Sequence, residues 1–324
     1  MNTIKPPKLH QGDKVGICCP SGTIDHKREL FDRAKNGFQK ATELQVHVAP
    51  NAYAKHYYSA GTVQERLDDF HALIADPTIK TIIFGAGGDT ASDLLPYLNY
   101  ELIKNNPKII SGISDATTLL TAITAKTGLV TFLGLEILDY ADYKMNYTTQ
   151  AMQNAWFDGG PQTIQPNPNW KELKENFTRY TGWQTIREGV ATGQLFGGNS
   201  ESYIQLLNTP YELRIPQGIL FLETYKLPKK QIHKTLIQLQ LRGILDDIAG
   251  LIVGYCLESD KQEIVGNDQL IQETILEVTS EYSFPIMQIG EIGHCVENFM
   301  QPIGAHAKMD ATALQFEITE SVTT

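Results

Sequence analysis

The chain has 324 residues, of which 42% are hydrophobic, and this is enough for two domains of ordinary size with buried cores. The formal net charge of −10 disfavours a protein that binds a nucleic-acid polymer, because such proteins need a basic surface. No apolar run reaches the roughly 18 residues of a membrane span, and we expect neither a membrane segment nor a secretory signal. The four cysteines form no CxxC pair, so we expect reduced thiols in a cytoplasmic protein.

Apolar strands alternate with amphipathic helices through the first part of the chain. The pattern predicts strands at 14–19, 44–48, 79–84, 108–113 and 129–133, and helices at 27–41, 62–75, 91–105 and from 115 onward. Such alternation predicts an α/β fold with a parallel, helix-covered sheet of the doubly wound kind. Ligands bind at the carboxyl ends of the strands in such sheets, so the loops that follow the strands are the places to look for a site.

The glycine-rich loop Gly85–Asp89 follows one predicted strand and precedes a helix. Its backbone N–H groups could face an anion, and Gly88 could donate to an oxyanion. A dinucleotide fingerprint would need a third glycine where Thr90 stands, and the chain has no Walker A lysine, so nucleotide-dependent redox chemistry is disfavoured. A purely structural turn is the other interpretation.

Ser114 lies where the strand at 108–113 meets the following helix, in the run Gly112-Ile113-Ser114-Asp115-Ala116. Small residues on both sides allow a tight bend that would expose the hydroxyl, as in a nucleophile elbow. Serine is also a preferred helix cap. The local pattern leaves both interpretations open.

The alternation breaks between residues 158 and 188, where Pro and Gly are frequent, and we predict a connecting segment there. An N-terminal α/β domain would then occupy 1–157, and a smaller mixed α/β domain would occupy 189–324. In the second half the pattern predicts strands at 218–223, 249–255 and 284–289, helices at 228–242 and 268–281, and strand-like alternation at 305–317.

Glu223 ends one of these strands, and His294 lies in a loop between glycines. Taken singly, a glutamate is more often an ion-pair partner and a loop histidine a surface residue. Metal-ligand spacing such as HExxH is absent, so we expect no metal site. Together with Ser114, however, the two residues form the minimum set for an activated serine.

Several spaced motifs carry a resemblance to one family. They are Gly12-Asp13-Lys14-Val15-Gly16, Pro20-Ser21-Gly22, Gly87-Gly88-Asp89, Leu94-Leu95-Pro96-Tyr97-Leu98, Gly112-Ile113-Ser114-Asp115, Gly197-Gly198-Asn199, Leu222-Glu223, Gly293-His294 and Gln301-Pro302-Ile303-Gly304. In this order, over most of the chain, they resemble the LD-carboxypeptidase family of serine peptidases, which includes the microcin C immunity peptidases.

The resemblance implies a Ser-His-Glu triad on a parallel N-terminal domain and a mixed C-terminal domain. The matching positions are Ser114 as nucleophile, His294 as general base and Glu223 as its orienting carboxylate. Gly88 and Asp115 match the residues whose N–H groups form the oxyanion hole. The family needs no cofactor, and its members are typically homodimers.

The resemblance leaves the substrate open between an LD-muropeptide of peptidoglycan recycling and a peptidyl or aminoacyl nucleotide. The Gly87-Gly88-Asp89 form and the run Thr181-Gly182-Trp183 look closer to the immunity-peptidase branch, in which a loop tryptophan stacks on the nucleobase. Trp183 would then bind substrate from an exposed loop, or else pack at the domain joint. The loop Cys295–Phe299 departs from the family pattern. A non-catalytic protein that binds a small molecule on the same scaffold is the alternative from a different class.

Overall fold

The structure, a computed structural model, describes residues 1–173, 180, 182–257 and 270–324. Within these residues no helix is both long and apolar enough to cross a bilayer. None of the four cysteines forms a disulfide. The chain divides into two compact units, the first made of Met1–Gly160, Phe299–Gly304 and Ser321–Thr324, and the second of Pro161–Asn298 and Ala305–Glu320.

The strands of the described residues are short and mostly buried. In chain order they are β1 (Lys14–Cys18), β2 (Gln45–Val48), β3 (Ile79–Phe84), β4 (Ile109–Gly112), β5 (Thr131–Leu133), β6 (Gln162–Ile164), β7 (Gln184–Arg187), β8 (Val190–Asn199), β9 (Ile219–Tyr225), β10 (Gly250–Leu257), β11 (Ile286–Gln288), β12 (Gln301–Ile303), β13 (His306–Asp310) and β14 (Gln315–Ile318).

The α-helices of the described residues are α1 (Arg28–Thr42), α2 (Val63–Ala75), α3 (Tyr100–Asn105), α4 (Ala116–Thr127), α5 (Asn146–Met152), α6 (Ser200–Ile204), α7 (Lys229–Leu241), α8 (Ile244–Asp247) and α9 (Ile271–Val278). Short 3₁₀ segments occur at Asp25–Lys27, Ala91–Tyr97 and Ile137–Ala141. The predicted helix at 268–281 begins outside the described residues.

The first unit contains a six-stranded sheet in the order β12-β5-β4-β3-β1-β2. The five strands from β5 to β2 are parallel, and only the edge strand β12 is antiparallel. The chain first builds outward from β1 to β2 and then continues on the other side of β1 with β3. This reversal confirms the doubly wound parallel sheet, and the loops after β1, β3 and β4 lie side by side at its carboxyl edge.

The second unit contains an eight-stranded mixed sheet in the order β6-β14-β13-β8-β9-β10-β11-β7. Its centre, from β8 to β11, is parallel, whereas the strands on either side pair antiparallel. The register sets Asn199 of β8 beside Glu223 of β9. Glu223 therefore lies within a strand that continues to Tyr225, not at the strand end that the pattern predicted.

Two features of the domain organisation differ from the sequence prediction. The segment predicted as a connection, 158–188, contains β6 and β7, which form the two edges of the second sheet and pair antiparallel with β14 and β11. Not all of 189–324 belongs to the second domain, since β12 pairs with β5 and residues 299–304 and 321–324 complete the first unit. Local patterns carry no information on which distant strand a three-residue segment joins.

Helix α1 packs closely against the segment Ile137–Ala141. Its buried residues include Phe38, whose ring meets the Tyr140 ring edge to face at 5.2 Å. The approach is permitted by Gly37, because a Cβ atom there would lie 2.2 Å from the Tyr140 carbonyl oxygen. Gly37 lowers the intrinsic stability of α1, but it allows the helix to pack closely against Tyr140.

We expect Gly37→Ala to lower the free energy of unfolding by about 1–3 kcal/mol, the usual effect of overpacking. In an exposed helix the same change would raise it by about 1 kcal/mol. Gly160→Ala is the matched control, since no atom lies within 4 Å of its added Cβ, and it should shift stability by less than about 0.5 kcal/mol. Denaturant unfolding measures both variants, and a stabilised Gly37→Ala protein would contradict the close packing.

Candidate active site

Ser114 occupies the turn between β4 and α4, and its backbone has φ = +64°. A left-handed backbone is uncommon outside glycine and often marks functional turns. The turn is tight, since a Cβ atom at Gly112 would lie 2.7 Å from that of Ala116. Helix α4, which lies wholly in the described part of the chain, has no side-chain cap, so the alternative in which Ser114 is a helix cap is wrong.

The glycine loop after β3 lies directly against this serine. A Cβ atom at Gly87 would be 2.8 Å from the Cβ of Ser114 and 3.0 Å from its Oγ. Gly88 has φ = +148°, which a side chain would disfavour. Among the described residues, neither the N–H of Gly88 nor that of Asp115 donates to a protein acceptor. These two N–H groups, one on each side of the turn, are therefore available to a ligand.

In the second unit Glu223 and His294 form a hydrogen-bonded pair. The His294 Nδ1 lies 2.7 Å from Glu223 Oε2, and both side chains are buried. The other carboxylate oxygen accepts from Asn199 Nδ2 at 2.9 Å. Asn199 cannot reverse its amide, because its Oδ1 accepts from the Ser202 N–H at the start of α6. Donors thus hold both oxygens of the carboxylate.

The loop that carries His294 is held by one asparagine side chain. Asn298 accepts from the Gly293 N–H at 2.7 Å and donates to the carbonyls of Gly293 and Val296. The Tyr225 ring lies 4.7 Å from the imidazole of His294, measured between ring centroids. Asn298, which belongs to the divergent segment 295–299, therefore stabilises the loop that carries His294.

The Trp183 side chain is buried, with only 9% of the residue exposed, so the prediction that it lies in an exposed loop is wrong. Its indole N–H donates to Glu291 Oε2 at 2.6 Å, and the Asn167 N–H donates to Glu291 Oε1 at 2.7 Å. Burial raises the pKa of Glu291 above its usual value, against these two hydrogen bonds, which lower it. Its neighbour Thr181 lies outside the described residues. Whether Trp183 also contacts substrate stays a prediction.

Each unit thus brings together part of the predicted site. The first contains Ser114 with the Gly88 and Asp115 N–H groups, and the second contains the Glu223–His294 pair. The described residues include no group of three or more histidine, cysteine or acidic side chains that could hold a metal ion.

Sequence reasoning missed two polar residues of these arrangements. Asn199 was visible only as a member of a motif, and Asn298 only as part of a divergent loop. A buried asparagine leaves no periodic pattern in the sequence. The one available signal was the position of Asn199 directly before a short helix, which is typical of a helix cap.

Comparison with known families covers both units. The LD-carboxypeptidase N-terminal domain matches residues 15–134, and the LD-carboxypeptidase C-terminal domain matches residues 192–309. The chain belongs to the LD-carboxypeptidase family. It is therefore a serine peptidase, and family membership decides against the non-catalytic binding protein.

Individual LD-carboxypeptidase relatives align over nearly their whole length. A probable murein peptide carboxypeptidase of Bacillus subtilis is 30% identical over 316 residues, covering 94% of this chain and 91% of that protein. The microcin self-immunity protein MccF of Escherichia coli is 28% identical over 339 residues, covering 96% and 94%. A solved structure of MccF in complex with aspartyl sulfamoyl adenosine matches 99% of this chain and all of that chain, with a TM-score of 0.89 and 24% identity. The last comparison confirms the two-domain fold.

The two donors on Glu223 generate a stability prediction. In Glu223→Gln one side-chain oxygen becomes an N–H₂ group, which either opposes the Asn199 Nδ2 donor or makes His294 accept at Nδ1 and move its proton to the buried Nε2. An unsatisfied buried polar group costs about 1–3 kcal/mol, and we expect a loss of that size in the free energy of unfolding. Glu281→Gln, at an exposed glutamate of the same unit, should change it by less than about 0.5 kcal/mol. Equal effects of the two substitutions would contradict the arrangement around Glu223.

Proposed function

We propose that this protein is a serine carboxypeptidase that hydrolyses an amide bond of a small peptide-like substrate through an acyl-enzyme. In this proposal Ser114 is the nucleophile, His294 the general base and Glu223 its orienting carboxylate. The observation that carries it is the buried hydrogen bond between His294 Nδ1 and Glu223 Oε2, because a serine nucleophile needs an imidazole held in one tautomer.

The pair supports each proton transfer of the reaction. With Nδ1–H donating to Glu223, the neutral ring presents Nε2 as the base that accepts the Ser114 proton. The same nitrogen then gives the proton to the leaving amine. Glu223 stabilises the imidazolium formed in between without itself taking up the proton. A water molecule repeats the sequence to release the acyl group from Ser114.

The surroundings of Ser114 support the nucleophile assignment. Its left-handed backbone keeps the hydroxyl at the tip of the turn, and the N–H groups of Gly88 and Asp115 are the proposed oxyanion donors. A tetrahedral intermediate carries its charge on an oxygen that such N–H groups stabilise, and each donor is worth about 10²–10³ in rate.

The names of the relatives suggest two substrate classes, which a cleavage assay can distinguish. One relative is named a probable murein peptide carboxypeptidase, and MccF has been solved with an aminoacyl sulfamoyl nucleoside. The first favours an LD-muropeptide and the second an aminoacyl nucleotide. Incubation with a tetrapeptide ending in D-alanine and, separately, with an aminoacyl adenylate analogue shows which amide or acyl bond is cleaved.

We expect Ser114→Ala to abolish hydrolysis of every substrate while the fold is retained. The stability change should be about 1 kcal/mol or less, since the hydroxyl caps no helix. Ser111→Ala is the control, because its buried hydroxyl has no partner among the described residues and its loss should leave turnover intact. Full activity of the purified Ser114→Ala protein would end the nucleophile assignment.

Substitutions at Trp183 separate stacking from packing. Trp183→Phe keeps a flat ring but removes the donor to buried Glu291, so it should lower stability by about 1–3 kcal/mol. If Trp183 stacks on a base, Trp183→Ala should reduce kcat/KM for an aminoacyl nucleotide by about tenfold or more beyond its effect on a muropeptide, and Trp183→Phe should preserve most of it. Equal losses on both substrates would leave Trp183 a packing residue.

We also propose that the enzyme is a homodimer, as the family resemblance implies, and that it is cytoplasmic, as the absence of a CxxC pair suggests. Light scattering of the purified protein at several concentrations tests the oligomeric state.

A further inference from the structure

The turn after β1 contacts the residues proposed to form the oxyanion hole. Ser21 in this turn is buried, and its Oγ donates to Asp115 Oδ2 at 2.5 Å. The Ser21 Oγ also accepts a hydrogen bond from the Thr90 N–H at 3.0 Å. One hydroxyl thus links the loop after β3 to the turn after β4, at the carboxyl ends of three adjacent strands.

The carboxylate of Asp115 is the centre of this network. It is buried and accepts three hydrogen bonds, from Ser21 Oγ, from the Ala91 N–H at 2.9 Å and from Thr118 Oγ1 at 3.0 Å. Ala91 and Thr90, whose N–H groups donate to Asp115 and to Ser21 respectively, directly follow the glycine loop. A buried charge with these partners fixes the end of that loop against the start of α4.

Backbone contacts bring the same turn against the two glycines. The Gly22 N–H donates to the Gly87 carbonyl at 2.8 Å. A Cβ atom at Gly88 would lie 2.5 Å from Ser21 Oγ and 2.6 Å from the Gly22 nitrogen. Gly88 is therefore in direct contact with the turn, and its N–H direction depends on where Ser21 and Gly22 lie.

Arg66 of α2 holds the same two segments from another side. Its side chain is buried, and Nη1 donates to the carbonyls of Pro20 and Thr90 at 2.8 and 2.9 Å, while Nη2 pairs with Asp93 at 3.0 Å. The arginine thus ties the residue before Ser21 to the residue after the glycine loop. Both Ser21 and Arg66 therefore hold the glycine loop Gly85–Asp89 against the turn after β1.

We propose that Ser21 and the carboxylate of Asp115 are positioning residues that fix the N–H groups of Gly88 and Asp115 around Ser114. This inference rests on the proposed function, in which those N–H groups stabilise the oxyanion. Asp115 then has two separate roles, as its backbone N–H faces the developing charge while its side chain holds the loop that carries the other donor. Donors fixed before the reaction lower the barrier because they need no reorganisation in the transition state.

The kinetic signature of such a role differs from that of a stabilising contact. Loosening the loop should weaken transition-state binding and leave substrate binding almost unchanged. In Ser21→Ala we expect kcat per titrated active site to fall by about tenfold or more, with KM changed by less than about threefold. A buried serine that only stabilises the fold would lower the melting temperature and leave kcat per folded molecule unchanged.

The experiment compares Ser21→Ala, Asp115→Ala and Asp115→Asn with the matched control Ser111→Ala, a buried serine of β4 outside the network. Asp115→Asn retains an oxygen that can accept from Ser21 and Ala91, so it should recover part of the kcat lost in Asp115→Ala. Ser111→Ala should keep the wild-type kcat. Affinity for a phosphonate analogue of the tetrahedral intermediate should fall in parallel with kcat.

Amide hydrogen exchange at Thr90 and Ala91, whose N–H groups donate to Ser21 Oγ and Asp115 Oδ2, gives a second readout that needs no substrate. We expect faster exchange at both residues in Ser21→Ala but not in Ser111→Ala. Wild-type kcat or wild-type exchange in Ser21→Ala would overturn the positioning role. If Ser114→Ala is inactive while Ser21→Ala behaves as wild type, the proposed function stands and this inference fails. If wild type and Ser114→Ala hydrolyse equally, the proposed function fails first.

Discussion

The first unit depends on the left-handed backbone at Ser114. For a residue with a side chain this conformation costs about 1–3 kcal/mol, which neighbouring contacts must offset. Gly112 leaves room for the turn, and the Asp115 carboxylate holds the following residue to the loops after β1 and β3. The strained residue is therefore fixed by adjacent parallel strands, whose register sets where each loop begins.

In the second unit the main constraint is the burial of the Glu223 carboxylate. Glu223 is completely buried, and a carboxylate in such a place is tolerated only when its oxygens are well hydrogen-bonded. Asn199 satisfies one oxygen and His294 the other. Because β8 and β9 are parallel and in register at Asn199 and Glu223, the sheet itself supplies the first partner. The imidazole is consequently oriented by a group that cannot move far.

Local signals in the sequence were sufficient to predict the parallel sheet and the tight turn at Ser114. Buried apolar strands recur with helices between them, and Ser114 lies among small residues at such a boundary. The spaced motifs then identified the family, which periodicity alone could not have done. Family resemblance, not spacing, also supplied the pairing of Glu223 with His294.

Contacts between distant segments were beyond reach of local patterns. The exposure of Trp183 was mispredicted because its position depends on Glu291, which is 108 residues later. Ser21 looked like a turn residue because its partner Asp115 is 94 residues away. Short strands such as β6 and β7 show too few alternations to be recognised, and they form because each pairs with a distant strand at an edge of the second sheet.

The division of the chain also sets an order of assembly during synthesis. The first sheet takes its edge strand from residues 301–303, and the second takes β13 and β14 from residues 306–318. On a ribosome, which releases the chain from the N-terminus, the first sheet cannot be complete before residue 303 has been made, nor the second before residue 318. The turn at Ser114 emerges long before the loop that carries His294. While the residues between these two segments are being made, a nascent chain carries Ser114 without the Glu223–His294 pair, and the two sheets reach their final strand number almost together.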